Sequence, residues 1–174
     1  ACCPPNIARV LTSIGHYIYT VRDDALFINL YVGNSMVFPV GDQELQLRIS
    51  GNYPWQDQVT ITITSPVPVE HTLALRLPDW CDAPQLTLNG ETLQGEVRQG
   101  YLYLNRRWQE GDALVLTLPM PVRRVYGNGQ VRQQAGKVAI QRGPLVYCLE
   151  QADNGEGLHN LTLPADSTFR VFEG

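Results

Sequence analysis

Residues 58–64 read QVTITIT. Val59, Ile61 and Ile63 alternate with Thr60, Thr62 and Thr64, so every second side chain is aliphatic. Successive side chains of an extended chain point to opposite faces, and this stretch therefore offers one apolar face and one hydroxyl face. The same period of two recurs on both sides of it. Leu26, Ile28, Leu30 and Val32 alternate with Phe27, Asn29 and Tyr31, and Leu45, Leu47 and Ile49 alternate with Gln46 and Arg48. Leu73, Leu75 and Leu77 follow, then Leu86 and Leu88, then YLYL at 101–104 and LVLTL at 114–118. Half-buried strands recurring about every 8–12 residues predict an antiparallel sandwich or barrel. The punctuation agrees. Gly41 with Asp42, Asn89 with Gly90 and Gly111 with Asp112 are turn pairs, and Pro66, Pro68, Pro78, Pro119 and Pro121 fall at strand ends.

The two ends of the chain read differently. Ile7, Val10, Leu11, Ile14 and Ile18 recur at helical spacing and predict one helix of about 15 residues. Pro4 and Pro5 suit its first turn, Asn6 can help cap it, and Gly15 weakens its middle. Its apolar stripe needs a partner, either the β-scaffold or another copy of the chain, because an exposed stripe of that size favours association. A second unit begins near Pro121, with strands expected at 122–125, 137–141 and 145–149 and one more near 168–172. Three or four strands are few for a self-sufficient sandwich. The fold expected is mainly β: one complete antiparallel β-sandwich, a second that is partial, and one α-helix ahead of both.

Composition narrows the function classes. Hydrophobic residues make up 44% of the 174, enough for a core, but no apolar run is long enough to span a membrane. The net charge is −4 and the 13 Lys and Arg are scattered, which argues against a nucleic-acid surface. Arg106 with Arg107, and Arg123 with Arg124 and nearby Arg132, read as solvated rims. Four cysteines are too few for a disulfide framework, and free thiols lean toward the cytoplasm. The chain starts without Met and without a signal peptide, so it reads as a piece of something longer whose N-terminus is missing.

Cys2 and Cys3 are the residues with the most chemistry. They sit immediately before a helix start, where unpaired amide donors and the helix dipole favour a thiolate. Adjacent thiolates can share one metal ion, but a structural zinc needs four ligands, and no CxxC or HExxH motif supplies the others. The alternatives are two small buried hydrophobes or a vicinal disulfide. Cys81 and Cys148 read as core cysteines, and His16, His71 and His159 as structural or surface groups. The carboxylates, Asp23 and Asp24 included, show no spacing that selects an acid–nucleophile pair. GNSM at 33–36 lacks the GxSxG pattern. Tyr53, Trp55, Trp80, Tyr101, Tyr103 and Trp108 could build a sugar platform, with core packing as the ordinary alternative.

Several phrases occur together in one order: CCPPNIARVL (2–11), LFINLYVGNSM (26–36), GNYPWQDQVTITI (51–63), LALRLPDWC (73–81), LNGE (88–91), GYLYLNRRWQEGD (100–112), LPMPVRRVYGN (118–128) and GKVAIQRGPLVYCLE (136–150). In that order they resemble the β-L-arabinofuranosidases of glycoside hydrolase family 127. The resemblance implies a C-terminal part of such an enzyme. Residues 1–19 would be the last segment of an (α/α)6-barrel catalytic domain, 20–122 a first β-sandwich and 123–174 part of a second. It also implies roles: Cys2 as nucleophile and zinc ligand, Cys3 as zinc ligand, with the remaining ligands and the acid/base glutamate outside this chain. The substrate implied is an arabinofuranoside-type saccharide, reached through the missing catalytic domain, and the chain alone would be inactive. The competing expectation is an autonomous, non-catalytic β-sandwich that binds carbohydrate or acts as a scaffold. Neither reading calls for nucleic acid or membrane, and self-association through the N-terminal helix would fit both.

Overall fold

The computed structural model describes residues 3–22 and 24–172 and divides into two compact units, residues 1–119 and 120–174. The first unit opens with helices α1 (Cys3–Ser13) and α2 (Gly15–Ile18). Eleven strands follow: β1 (Tyr19–Arg22), β2 (Ala25–Ile28), β3 (Asn34–Val40), β4 (Gln43–Ser50), β5 (Gln58–Ile63), β6 (Val69–Arg76), β7 (Gln85–Leu88), β8 (Glu91–Thr92), β9 (Glu96–Arg98), β10 (Tyr101–Trp108) and β11 (Ala113–Thr117). They form two sheets, ordered β1-β2-β6-β10-β9 and β3-β4-β5-β11-β7-β8. The second sheet is antiparallel throughout. The first is mixed, because β2 runs parallel to β6, which corrects the all-antiparallel expectation.

The stretch QVTITI is β5, in the interior of the second sheet between β4 and β11. Val59, Ile61 and Ile63 are buried while the threonines face outward, as the alternation requires. Ile61 lies opposite Ile49 on one side and Leu114 on the other. These residues join Leu26, Ile28, Leu73, Leu75, Leu102 and Leu104 of the first sheet in one buried cluster, so the two sheets face each other across a shared core. Full burial of each such side chain contributes roughly 1.5–3 kcal/mol. Trp108 is also enclosed, and its indole Nε1 donates to the His71 carbonyl at 2.9 Å, so the ring brings no unpaired donor into the core.

Two of the expected turns are bonded to each other. Leu88 pairs with Glu91, leaving Asn89 and Gly90 as a two-residue hairpin loop with φ of 52° and 87°. Both values are positive, as the primed turns that match strand twist require, and Gly90 adopts this geometry without a steric penalty. The Asn89 side chain donates to Asp112 Oδ1 at 2.9 Å and accepts from the Ala113 amide at 2.9 Å. Asp112 Oδ2 accepts from the Gln109 amide at 2.9 Å. Asp112 is 9% exposed, so its carboxylate depends on these donors in place of water.

The N-terminal region departs from expectation in two ways. The helix breaks at Ile14 into α1 and α2 instead of running on for about 15 residues. Thr12 Oγ1 and Ser13 Oγ both donate to the Arg9 carbonyl, at 3.0 and 2.7 Å, competing with the backbone ladder just before Gly15. Asn6 lies inside α1 and accepts from Arg9, so it is not the cap. The apolar stripe is not covered by the sheets: Ile7, Val10 and Leu11 are 61%, 56% and 65% exposed, and only Ile18 of the series is buried. Further on, the expected alternation over 26–32 holds only to Ile28. The chain then leaves the strand, burying Tyr31 and exposing Val32, and the Tyr31 hydroxyl donates to the Arg76 carbonyl at 2.6 Å.

The second unit is one antiparallel sheet, β12 (Val122–Tyr126), β13 (Val138–Arg142) and β14 (Leu145–Tyr147), in that order. A short helix, α3 (Gln151–Asn154), follows. The expected strand near 168–172 does not form. The Arg124 guanidinium instead holds that tail, donating to the carbonyls of Pro164 and Ser167 at 2.9 Å each and to that of Ala165. It also lies over the Phe169 ring at 5.1 Å. Arg124 is thus a tether and not part of a solvated rim. Cys148, expected in the core, is exposed, because it follows the end of β14; Cys81 is buried as expected.

Two substitutions check these contacts. Asp112→Ala is expected to lower the unfolding free energy by about 1–3 kcal/mol, read from urea titration, because it removes two part-buried hydrogen bonds to a carboxylate. Arg124→Met should make residues 164–169 cleavable by protease at concentrations that leave the wild-type tail intact, with β12–β14 still folded by amide exchange.

Candidate functional site

Cys3 is the first described residue of α1 and is exposed. Cys2, the expected nucleophile, lies outside the described residues. Pro4 and Pro5 occupy the first turn of α1 and lack amide hydrogens, so this helix end presents fewer backbone donors than most. Among the described residues, no group of three or more His, Cys, Asp or Glu side chains is placed to hold a metal ion. The donor chemistry of two neighbouring thiolates suits zinc, but the described residues do not complete a four-ligand site.

The three histidines lie on separate elements. His16 lies exposed in α2, and His159 lies exposed in a single helical turn, Leu158–Asn160. His71 is on β6, packed beside the Phe38 ring at 5.4 Å, and its Nε2 is buried with no hydrogen-bond partner among the described residues. Burial lowers its pKa below the usual 6.5, with Asp24 pulling more weakly the other way. It is a ring kept neutral by packing, as the structural reading expected.

The aromatic residues separate into groups. Trp108 is core, Trp55 is exposed, and Tyr31 meets Tyr53 edge-on at 5.9 Å. Burial raises the Tyr31 phenol well above its usual range. Tyr101 and Tyr103 instead point to the outer face of the first sheet. There they meet Phe27 edge-on, with centroids at 5.1 and 5.8 Å, beside a groove of about 570 Å³. Phe27 of β2 and Asn29, just past its end, complete this arrangement. The sequence marks them only as the outward positions of a strand, a signal that identifies a face and not a site.

Residues 25–120 match the family described as beta-L-arabinofuranosidase, GH127 middle domain. The chain belongs to glycoside hydrolase family 127. Residues 122–172 match the C-terminal domain of family 127. A non-reducing end beta-L-arabinofuranosidase of Bifidobacterium longum subsp. longum is 37% identical over 169 residues, which is 94% of this chain and 25% of that protein. The crystal structure of a family 127 beta-L-arabinofuranosidase from Geobacillus stearothermophilus T6 superposes with a TM-score of 0.90 at 48% identity, covering 97% of this chain and 27% of that one. A second family 127 structure, a beta-arabinofuranosidase, gives 0.80 at 33% identity, covering 88% of this chain and 27% of that one. The chain therefore spans about a quarter of the length of these relatives. Cys2 and Cys3 precede both family 127 matches, whereas Phe27, Tyr101 and Tyr103 lie within the middle-domain match.

His71 supplies a pH test. The unfolded ring takes up a proton near pH 6.5, the folded ring only at lower pH, so between these values the unfolded state binds more protons. Its stabilising contribution is complete above 6.5 and is lost as pH falls through that window. The urea midpoint should drop between pH 7.5 and 5.5, and His71→Gln should flatten that drop.

Proposed function

We propose that this chain is the C-terminal portion of a zinc-dependent retaining β-L-arabinofuranosidase in which Cys2 is the nucleophile. The adjacent thiols at the start of α1, in a chain of this family, carry the reading. The names of its relatives give the substrate class. Residues 1–19 would close an α-helical catalytic barrel, 20–122 would form the first β-sandwich domain and 123–174 part of a second. The exposed stripe of Ile7, Val10 and Leu11 supports this, since such a face fits against further helices.

In the proposed reaction the Cys2 thiolate attacks the anomeric carbon of a terminal β-L-arabinofuranoside. The glycosidic C–O bond breaks, and a carboxylic acid outside this chain gives its proton to the leaving oxygen. Water, deprotonated by the resulting carboxylate, then displaces sulfur from the sugar and restores the thiolate, so configuration is retained overall. Cys2 and Cys3 would hold the zinc ion, which when bound keeps a thiolate ionised at neutral pH. On this reading the isolated chain is inactive, because the acid and the other ligands lie elsewhere.

The test is hydrolysis of an aryl β-L-arabinofuranoside by the intact parent protein, with metal analysis alongside. Cys2→Ser should cost roughly a thousandfold or more in kcat. Cys3→Ser should lower the zinc content of a protein that still melts cooperatively. Full activity in the Cys2→Ser protein would sink the proposal.

A further inference from the structure

The outer face of the first sheet carries a concavity that the proposed chemistry does not use. Its shape follows from side-chain size along the strand register. Phe27 of β2 and Tyr103 of β10 both lie opposite Ala74 of the strand between them, β6. One step along, Ala25 and Asn105 both lie opposite Thr72. Ala25 and Thr72 thus lie at the floor of the groove, while the Phe27 and Tyr103 rings, which meet across Ala74, form its wall. Ala74 has no exposed surface and Ala25 very little, yet neither belongs to the core shared by the two sheets, so both are covered from the outer side. The groove of about 570 Å³ falls within the usual size of a small-molecule site.

Its polar groups are held in place. The Tyr101 hydroxyl donates to Asn29 Oδ1 at 2.8 Å, and Asn29 Nδ2 donates to Thr20 Oγ1 at 2.8 Å. Asn29 therefore joins β10, β2 and β1 in one chain of bonds. Thr20 keeps its own hydroxyl proton to donate, and the Tyr101 oxygen keeps its lone pairs. The Arg98 guanidinium lies over the Tyr103 ring at 4.0 Å and faces Glu96 at 3.5 Å, which fixes the far wall. Rings, hydroxyls, an amide and a guanidinium converge on a groove floored by Ala25 and Thr72.

We infer that this groove binds a saccharide, with the Phe27, Tyr101 and Tyr103 rings against the sugar's C–H faces and Asn29, Thr20 and Arg98 toward its hydroxyls. A peptide segment would call for a more apolar lining, because it brings fewer hydroxyls to satisfy these donors. The choice of an L-arabinose polymer as the ligand rests on the arabinofuranosidase reading above; the groove's affinity for saccharide does not.

The experiment uses the intact parent protein and native electrophoresis through gels containing arabinan. Retardation of the wild type is expected. Tyr103→Ala removes a wall and Thr72→Tyr fills the floor, and each should weaken the apparent affinity by roughly tenfold. Thermal melting confirms that both variants are folded. Equal retardation of wild type and both variants overturns the inference. So does no retardation of a wild-type protein that hydrolyses the aryl arabinofuranoside, since the arabinofuranosidase reading then stands without the groove. Retardation that depends on Tyr103 and Thr72 in a protein without hydrolytic activity upholds the groove and removes the glycosidase reading.

Discussion

The first unit depends on a single constraint: apolar side chains at every second position must all reach the same side of their sheet. A one-residue slip in β5 would bring Thr60 and Thr62 inward and push Val59, Ile61 and Ile63 out. The shared core would then hold hydroxyls without partners. Register in the second sheet is therefore fixed by burial, and the turns follow it. The bonded pair of Asn89 and Asp112 illustrates this. The β7–β8 hairpin and the approach to β11 are far apart in sequence, but once β7 and β11 pair, a side-chain amide and a carboxylate come within bonding distance. The same constraint sets the outer face, because inward leucines on β6 and β10 force Ala74, Tyr101 and Tyr103 outward.

Most of the first unit was legible for this reason. Strands buried on one face announce themselves by period, and β4, β5, β6, β10 and β11 all do. Edges announce themselves poorly. β1 has little buried surface, so no alternation marks it. β3 does carry Met36, Phe38 and Val40 at period two, but Pro39 interrupts the pattern, as a strand with an unpaired edge allows. The parallel pairing of β2 with β6 leaves no trace in composition. In the second unit the apolar residues near 168–172 suggested a strand, but the chain just before them is held by Arg124 through the carbonyls of Pro164 and Ser167 and not by a ladder.

The candidate sites were legible to different degrees. Cys2 and Cys3 stand out because two adjacent thiols are uncommon and chemically specific. Their role depends on partners that no spacing within this chain supplies. The groove is the opposite case. Its residues, from Thr20 to Tyr103, are ordinary individually and scattered in sequence, and only the cross-strand register brings them together. The size difference between Ala74 and its ring-bearing neighbours matters only once those neighbours are known.

The parallel contact between β2 and β6 also orders the assembly of the chain. Antiparallel neighbours can meet through a short turn, but β2 must wait for a strand that begins at Val69. Between them lie β3, β4 and β5, all belonging to the opposite layer. As the polypeptide emerges from a ribosome, the hairpins of β3, β4 and β5 can form first, while Leu26 and Ile28 have only β1 beside them. Closing the first layer needs this contact between segments distant in sequence, which places its slowest step at the pairing of β2 with β6.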